Sequence, residues 1–220
     1  MKDLSHDVAY DITLQQINLL IRKKDYAKAM NHVETLAAQL EEDDADVHQR
    51  AKVMILKARI HERAGTAPKG FSLAVRAATL AHRAHLLPIL WEAIGCICGV
   101  LHSLDEFQGS LQMLENIMPQ LLESGDCDLS ARSYSLIADA QVGLAGLMTQ
   151  ETLQRKEKLT RGLESLDMAF GEFAKLQDVG GQCDVLAKKA SILQFNGDRV
   201  LANDCASQYL SIRKSAMEEM

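Results

Sequence analysis

The stretch Trp91-x-x-Ile94-Gly95 contains a pattern of side chains that recurs twice further along the chain. A large residue is followed three positions later by an aliphatic residue and then directly by a small one. The second copy is Tyr134-x-x-Ile137-Ala138, and the third is Cys183-x-x-Leu186-Ala187. Residues three apart lie on the same face of an α-helix, so the large and the aliphatic side chain of each copy point to the same side. The small residue beside them leaves room for a neighbouring helix to come close.

This order of residues is typical of the first helix of a tetratricopeptide-like repeat, in which two antiparallel helices form a unit that stacks on the next unit. Turn signals near residues 25, 69, 105, 150 and 198 divide the chain into five such pairs. Their spacing exceeds the ~34 residues of the standard repeat, which indicates longer helices. We therefore predict an all-α, tetratricopeptide-like helical-repeat solenoid of about five antiparallel helix pairs, with residues 1–220 forming a single repeat array.

The recurring positions are the candidate contact residues between repeats. Trp91 is predicted to lie largely buried between repeats, with Gly95 at a close helix contact. The predicted packing residues are Trp91, Ile94, Gly95, Tyr134, Ile137, Ala138, Leu186 and Ala187.

Capping and turn residues predict where several helices begin and end. Asp46 is the last residue of an acidic linker at residues 41–46, and Asp46 and Asp105 are each expected to cap the helix behind them. Residues 65–70 are predicted to separate two helices, and Asn196-Gly197-Asp198 is predicted to end another.

Hydrophobic periodicity predicts the remaining helices. The first is expected over residues 5–22, with a buried stripe formed by Ile12, Ile17, Leu20 and Ile21. Other helices are expected from about residue 128, over 151–176, over 182–195 and from there to about 214.

The composition agrees with a folded helical chain. Of the 220 residues, 47% are hydrophobic and 25% are charged, which is ordinary for a globular protein. Aromatic residues make up only 5% and there are three prolines, so helix is favoured over sheet. The net charge of −6 argues against nucleic acid as a partner. No apolar run approaches the ~20 residues that a membrane-spanning helix needs, so no membrane partner is expected.

The cysteines and histidines do not predict a metal centre. The five cysteines are an odd number and no apolar signal region precedes them, which favours reduced thiols in the cytosol or nucleus. Cys96 and Cys98 are two apart and point in different directions on a helix. His82 and His85 share a helix face, but no third ligand is placed to complete a site. We expect no metal and no other cofactor.

No sequence motif predicts catalysis. A glycine-rich phosphate loop, a nucleophile elbow and a zinc-protease HExxH motif are all missing from the sequence. We therefore expect no enzymatic activity and no small-molecule substrate.

The run Arg155-Lys156-Glu157-Lys158, continued by Arg161, is the most basic stretch of the chain. It can be a docking surface for an acidic partner. It can also be a solvated helix face with internal ion pairs such as Glu157–Arg161, and this second interpretation is favoured.

Several stretches resemble a known family. They are residues 86–95 (Leu86 to Gly95), residues 121–131 (Leu121 to Ala131), Tyr134 to Ala140 with Gly143 to Gly146, and Gly181 to Ala190 with Gly197 to Asp204. Together they are similar to the C-terminal repeat region of anaphase-promoting complex subunit 5, of fungal type. The resemblance covers about residues 86–213.

The resemblance implies a non-catalytic scaffold subunit of a multi-subunit E3 ubiquitin ligase that acts in mitosis. The family implies contacts with the platform and repeat subunits of that complex, a location in nucleus and cytoplasm, and no catalytic residue in this region. Members carry a further N-terminal domain that this sequence does not show, so the chain is expected to be a fragment of a longer subunit.

Two other functions stay open. One is a different helical-repeat adaptor, such as a cohesin-loader or proteasome-lid type scaffold. The other is an enzyme or small-ligand receptor built on a helical bundle, which would need an enclosed pocket with convergent polar groups.

Overall fold

The computed structural model describes residues 4–42, 46–149 and 152–218, and these residues form ten α-helices and no strand. The all-α class is therefore confirmed. In chain order the helices are α1 Leu4–Arg22, α2 Tyr26–Glu42, α3 Val47–Arg63, α4 Ala67–Arg83, α5 Leu87–His102, α6 Phe107–Ser124, α7 Cys127–Gly146, α8 Leu153–Lys175, α9 Val179–Phe195 and α10 Arg199–Glu218. The middle of the predicted acidic linker (43–45) and the predicted turn at 150, with Glu151, lie outside the described residues.

The helices belong to two compact units. Residues 1–104 contain α1 to α5, and residues 105–220 contain α6 to α10. In the first unit each helix packs against the next, and α3 also contacts α5. In the second unit α6 to α10 likewise pack in sequence order. The single array over residues 1–220 concerns the arrangement of these two units and stays a prediction.

The first unit has a core that links α1, α2 and α3. On α2 the buried residues recur every three or four positions, which gives the helix one apolar face. Ile17 is fully buried, whereas Ile12 is 49% exposed and does not belong to the predicted stripe. The physical reason is that Ile12 lies on the outer face of α1 with Val8 and Leu19. The core residues are Ile17, Ala29, Val33, Leu36, Leu40, Val53, Leu56 and Ile60.

The second unit has two neighbouring clusters. One joins α7, α8 and α9, and alanines on α7 allow its neighbours to come close. The other joins α9 and α10. The first cluster is Ala131, Ala138, Leu166, Ala169, Phe173 and Val185, and the second is Leu186, Leu193, Ala202 and Cys205.

Side-chain caps begin several helices. Asp46 accepts a hydrogen bond from the backbone N–H of Gln49 at 2.9 Å, as predicted. Asp105 was expected to do the same for α6, and this is wrong. Its φ is 60°, because the turn after α5 needs a left-handed residue there, and Glu106 takes the N-cap position.

Left-handed glycines lie at the ends of α3, α6 and α9. Gly65 has φ 77° and Gly197 has φ 85°, both in the left-handed region that glycine adopts without strain. Gly197 follows the end of α9, so the predicted stop is confirmed. The predicted break at 65–70 is shorter than expected, since α4 already begins at Ala67 and includes Gly70.

Candidate interaction surfaces

The eight predicted packing residues differ in burial. Trp91, Ile137, Ala138 and Leu186 are buried, with Trp91 only 6% exposed. Ile94, Gly95 and Tyr134 are half-buried. Ala187 is exposed, so the third copy of the pattern does not bring a helix against its small residue. The next position along a helix lies about 100° away from Leu186, and on α9 that direction points to solvent.

Trp91 lies in an apolar part of the first unit. On α5 the buried residues include Ile89, Ala93 and Val100. The thiol of Cys96 lies 3.9 Å from the carbonyl oxygen of Ile55 on α3. Burial raises the pKa of Cys96 to about 12, so this thiol stays protonated and is part of the packing.

Glu92, which directly follows Trp91, links α5 to α3 by ion pairs. Its two carboxylate oxygens lie 2.8 Å from Lys52 Nζ and 3.0 Å from Arg59 Nη2. The side chain of Glu92 is only 11% exposed, so these pairs are poorly screened by solvent. The repeat pattern does not predict this link, although Glu92 is the one carboxylate on an otherwise apolar helix.

The second unit has a similar link between first helices of the predicted pairs. Asp139, which directly follows Ala138, accepts a hydrogen bond from Lys188 Nζ at 2.6 Å. This pair joins α7 to α9 and is about 40% exposed on both sides. In each unit an acidic residue beside the packing pattern therefore forms ion pairs between two helices. Glu92 joins α5 to α3, and Asp139 joins α7 to α9.

Two aromatic rings in the second unit lie directly on glycines. A Cβ atom built on Gly143 of α7 would be 2.4 Å from the ring of Phe107, and one on Gly181 of α9 would be 2.4 Å from the ring of Phe173. A side chain at either position would require the ring or the helix to shift. These contacts could not be predicted, because the pattern of large, aliphatic and small residues does not show which glycine faces an aromatic ring.

Glu62 is a mostly buried carboxylate on α3. It lies against α5, because a Cβ on Gly99 would be 3.2 Å from both of its oxygens. Its pKa is raised above the usual range by burial, which the positive charges of Arg63 and Arg59 partly oppose. Arg63 Nε is 4.0 Å away, at the limit of an ion pair.

The candidate metal ligands are not brought together. His82 lies in the last turn of α4, whereas His85 lies in the turn behind the helix with φ 55°, so the two do not share a helix face. Cys96 and Cys98 are both buried. In the described residues no group of three or more His, Cys, Asp or Glu side chains could hold a metal ion. None of the described helices is long and apolar enough to cross a bilayer.

The basic run lies on the N-terminal half of α8. The predicted pair is present, with Arg161 Nη2 2.7 Å from Glu157 Oε1. Arg155 points elsewhere: its guanidinium carbon lies 5.3 Å from the ring centroid of Phe195, at the end of α9. One part of the run is thus neutralised internally, and another part contacts an aromatic ring.

Apolar side chains are exposed on the outer faces of α1 and α10. On α1 they are Val8, Ile12 and Leu19, each about half exposed. On α10, Leu210 is 65% exposed and Met217 is 69% exposed. Such faces are typical of surfaces that another protein covers.

Comparison with solved structures identifies the fold. Two crystal structures of the TPR-like repeats of a kinesin light chain-like protein from Podosopora anserina match 98% of this chain, with TM-scores of 0.61 and 0.59, sequence identities of 13% and 14%, and coverage of 100% and 99% of those chains. BtubC (BKLC) from P. vanneervenii matches 93% of this chain and 79% of its own, with a TM-score of 0.55 and 15% identity. The predicted tetratricopeptide-like fold is confirmed. No family model and no curated protein matches the sequence.

Proposed function

We propose that this chain is a non-catalytic scaffold segment of the anaphase-promoting complex, the multi-subunit E3 ubiquitin ligase of cell division. The observation that carries the scaffold role is the exposed apolar face of α1, formed by Val8, Ile12 and Leu19 on a repeat fold. An apolar helix face of this kind is typical of a surface that another protein segment covers. In this proposal a neighbouring subunit covers the face in the assembled complex.

The choice of complex is supported by the resemblance of residues 86–213 to subunit 5 of that ligase. Trp91 and Ile137, which belong to the resembling stretches, are both buried. In this proposal Trp91 and Ile137 pack the repeats against each other and take no part in ubiquitin transfer. In this proposal the partners are the platform and other repeat subunits, and the chain acts in nucleus and cytoplasm.

A second candidate is a helical-repeat adaptor of another assembly, such as a cohesin loader or the proteasome lid. The fold supports it equally, because similar repeats are found in proteins as different as a kinesin light chain-like protein and BtubC.

Affinity capture of the tagged chain from dividing cells, followed by mass spectrometry, tests the proposal. We expect ligase subunits, and we expect the triple variant Val8→Ser, Ile12→Ser, Leu19→Ser to lose them. Leu147→Ser is the matched control, since Leu147 is 67% exposed but lies far from α1 in sequence. Capture of cohesin or proteasome subunits would keep the scaffold role and discard this ligase.

A further inference from the structure

We propose that the surface formed by the start of α8 and the turn between α9 and α10 binds an acidic polypeptide segment that carries an apolar anchor side chain. This basic–apolar surface consists of Leu153, Arg155, Lys156, Phe195, Arg199 and Val200. Its residues are not those of the exposed apolar faces of α1 and α10 described above. It fits a scaffold in any assembly and does not depend on the choice of ligase.

Three large apolar side chains are exposed on this surface. Leu153 is 82% exposed, Phe195 is 70% exposed and Val200 is 71% exposed. Phe173 in the same unit is buried, whereas the Phe195 ring is exposed to solvent. Large apolar side chains that are this exposed are typical of sites where a partner removes them from water.

Arg155 joins the two parts of the surface. Its guanidinium lies over the Phe195 ring at 5.3 Å from the centroid, which holds the ring at the edge of α8. A guanidinium that stacks on a ring keeps its N–H donors at the rim, where they can bind a carboxylate in a bidentate manner. An acidic side chain and an apolar side chain of one peptide can therefore be bound side by side.

Basic side chains outnumber acidic ones at this surface, where Asp198 precedes Arg199 in sequence and Glu157 is paired with Arg161. Lys156 and Arg199 are exposed and form no ion pair within the described part of the chain. Arg161, one turn further along α8, is paired with Glu157 at 2.7 Å and adds little. Arg155 contacts Phe195, and Lys156 lines a shallow groove on α8 together with Leu153, Glu157 and Glu164.

The charge of the whole chain selects a short acidic peptide over a larger anion. A net charge of −6 repels a nucleic acid or an anionic bilayer, whose charge extends over a large area. A short peptide responds mainly to charges within the Debye length of about 8 Å. Nucleic-acid binding also needs an extended basic stripe, whereas the cations here lie around the start of α8 and the α9–α10 turn.

Fluorescence anisotropy with the full chain tests this inference. The probe is a fluorescein-labelled peptide of six glutamates that flank two central leucines. We expect saturable binding that weakens with added salt, and losses of about tenfold for Lys156→Glu and about fivefold for Phe195→Ser. Leu210→Ser, at a similarly exposed position of α10, should bind as the unaltered chain does. Circular dichroism melts confirm that each variant is folded.

Two control peptides define the ligand class. Replacing the leucines by alanines should weaken binding, and replacing the glutamates by lysines should abolish it. The inference is overturned if the acidic peptide does not bind, if both surface variants bind it normally, or if phosphatidylserine vesicles or single-stranded DNA bind more tightly than the peptide. Because this assay uses the chain alone, its failure is distinguishable from a failed capture of ligase subunits.

Discussion

At the residue scale, substitution of Trp91 tests the packing of the first unit directly. Trp91 is the only tryptophan of the chain and is 6% exposed, so Trp91→Ala removes a large apolar side chain from a closed site. A loss of about 3–5 kcal/mol in the free energy of unfolding is expected, from lost burial and the cavity that remains. Urea unfolding followed by circular dichroism measures it.

Phe195→Ala is the control for that experiment, because Phe195 is 70% exposed. It should change the free energy of unfolding far less. Equal midpoints for Trp91→Ala and the unaltered chain would show that Trp91 does not pack the first unit.

The raised pKa of Glu62 predicts that the stability of the folded chain depends on pH. This pKa is raised in the folded state by burial, so the folded protein binds the Glu62 proton more tightly than the unfolded chain does. This contribution is fully present below the unfolded pKa of about 4.3 and is lost as the pH rises through the folded pKa. Glu62→Gln should therefore raise the melting temperature at pH 7, and the gain should vanish near pH 4.

The control for Glu62 is Glu123→Gln at an exposed position of α6. It should leave the pH profile of the melting temperature unchanged. A Glu62→Gln variant that is less stable than the unaltered chain at pH 7 would mean that the ionised carboxylate is favourably held.

Individual residues show how far local pattern predicts burial. Trp91, Ile137, Ala138 and Leu186 are buried as the repeat pattern suggested, because residues three or four apart share a helix face. Ala187 and Ile12 are exposed. The pattern gives the relative direction of neighbouring side chains, but which direction faces solvent depends on where the adjacent helices lie.

At the scale of elements, capping and turn chemistry located several helix ends. Asp46 and Gly197 act as their residue types predict. Asp105 does not, because an aspartate can cap a helix or adopt a left-handed turn, and only the geometry after α5 decides between them. The ring contacts of Gly143 and Gly181 and the ion pairs of Glu92 join distant parts of the sequence, so no local pattern shows them.

The contact between α8 and α9 can be tested at its closest point. Gly181→Ala places a Cβ about 2.4 Å from the Phe173 ring, so the ring or the helix must shift. A loss of about 1–3 kcal/mol in the free energy of unfolding is expected.

Gly171→Ala on α8 is the matched control, since nothing lies within 4 Å of its added Cβ. It should stabilise the chain by about 0.5–1 kcal/mol, because alanine favours helix. If both variants changed stability in the same direction, the close contact at Gly181 would be disproved.

At the scale of the whole molecule, the sequence predicted the class of fold, because helical periodicity and repeated packing positions are local properties. The two compact units were not predicted, since the boundary between α5 and α6 carries the same turn signals as other helix connections. The candidate interaction surfaces were the feature that the sequence predicted least well. The contact between Arg155 and Phe195 joins residues forty positions apart, and only the packed helices bring them together.

We propose that the chain holds other subunits in place and takes no part in chemistry. The most direct test of this proposal is to capture the ligase through its cullin subunit from cells carrying either the unaltered chain or Trp91→Ala. The amount of assembled complex and the rate of ubiquitin transfer per assembled complex are measured together. We predict that the amount falls while the rate per complex stays the same. An unchanged amount with a lower rate per complex would contradict the scaffold role.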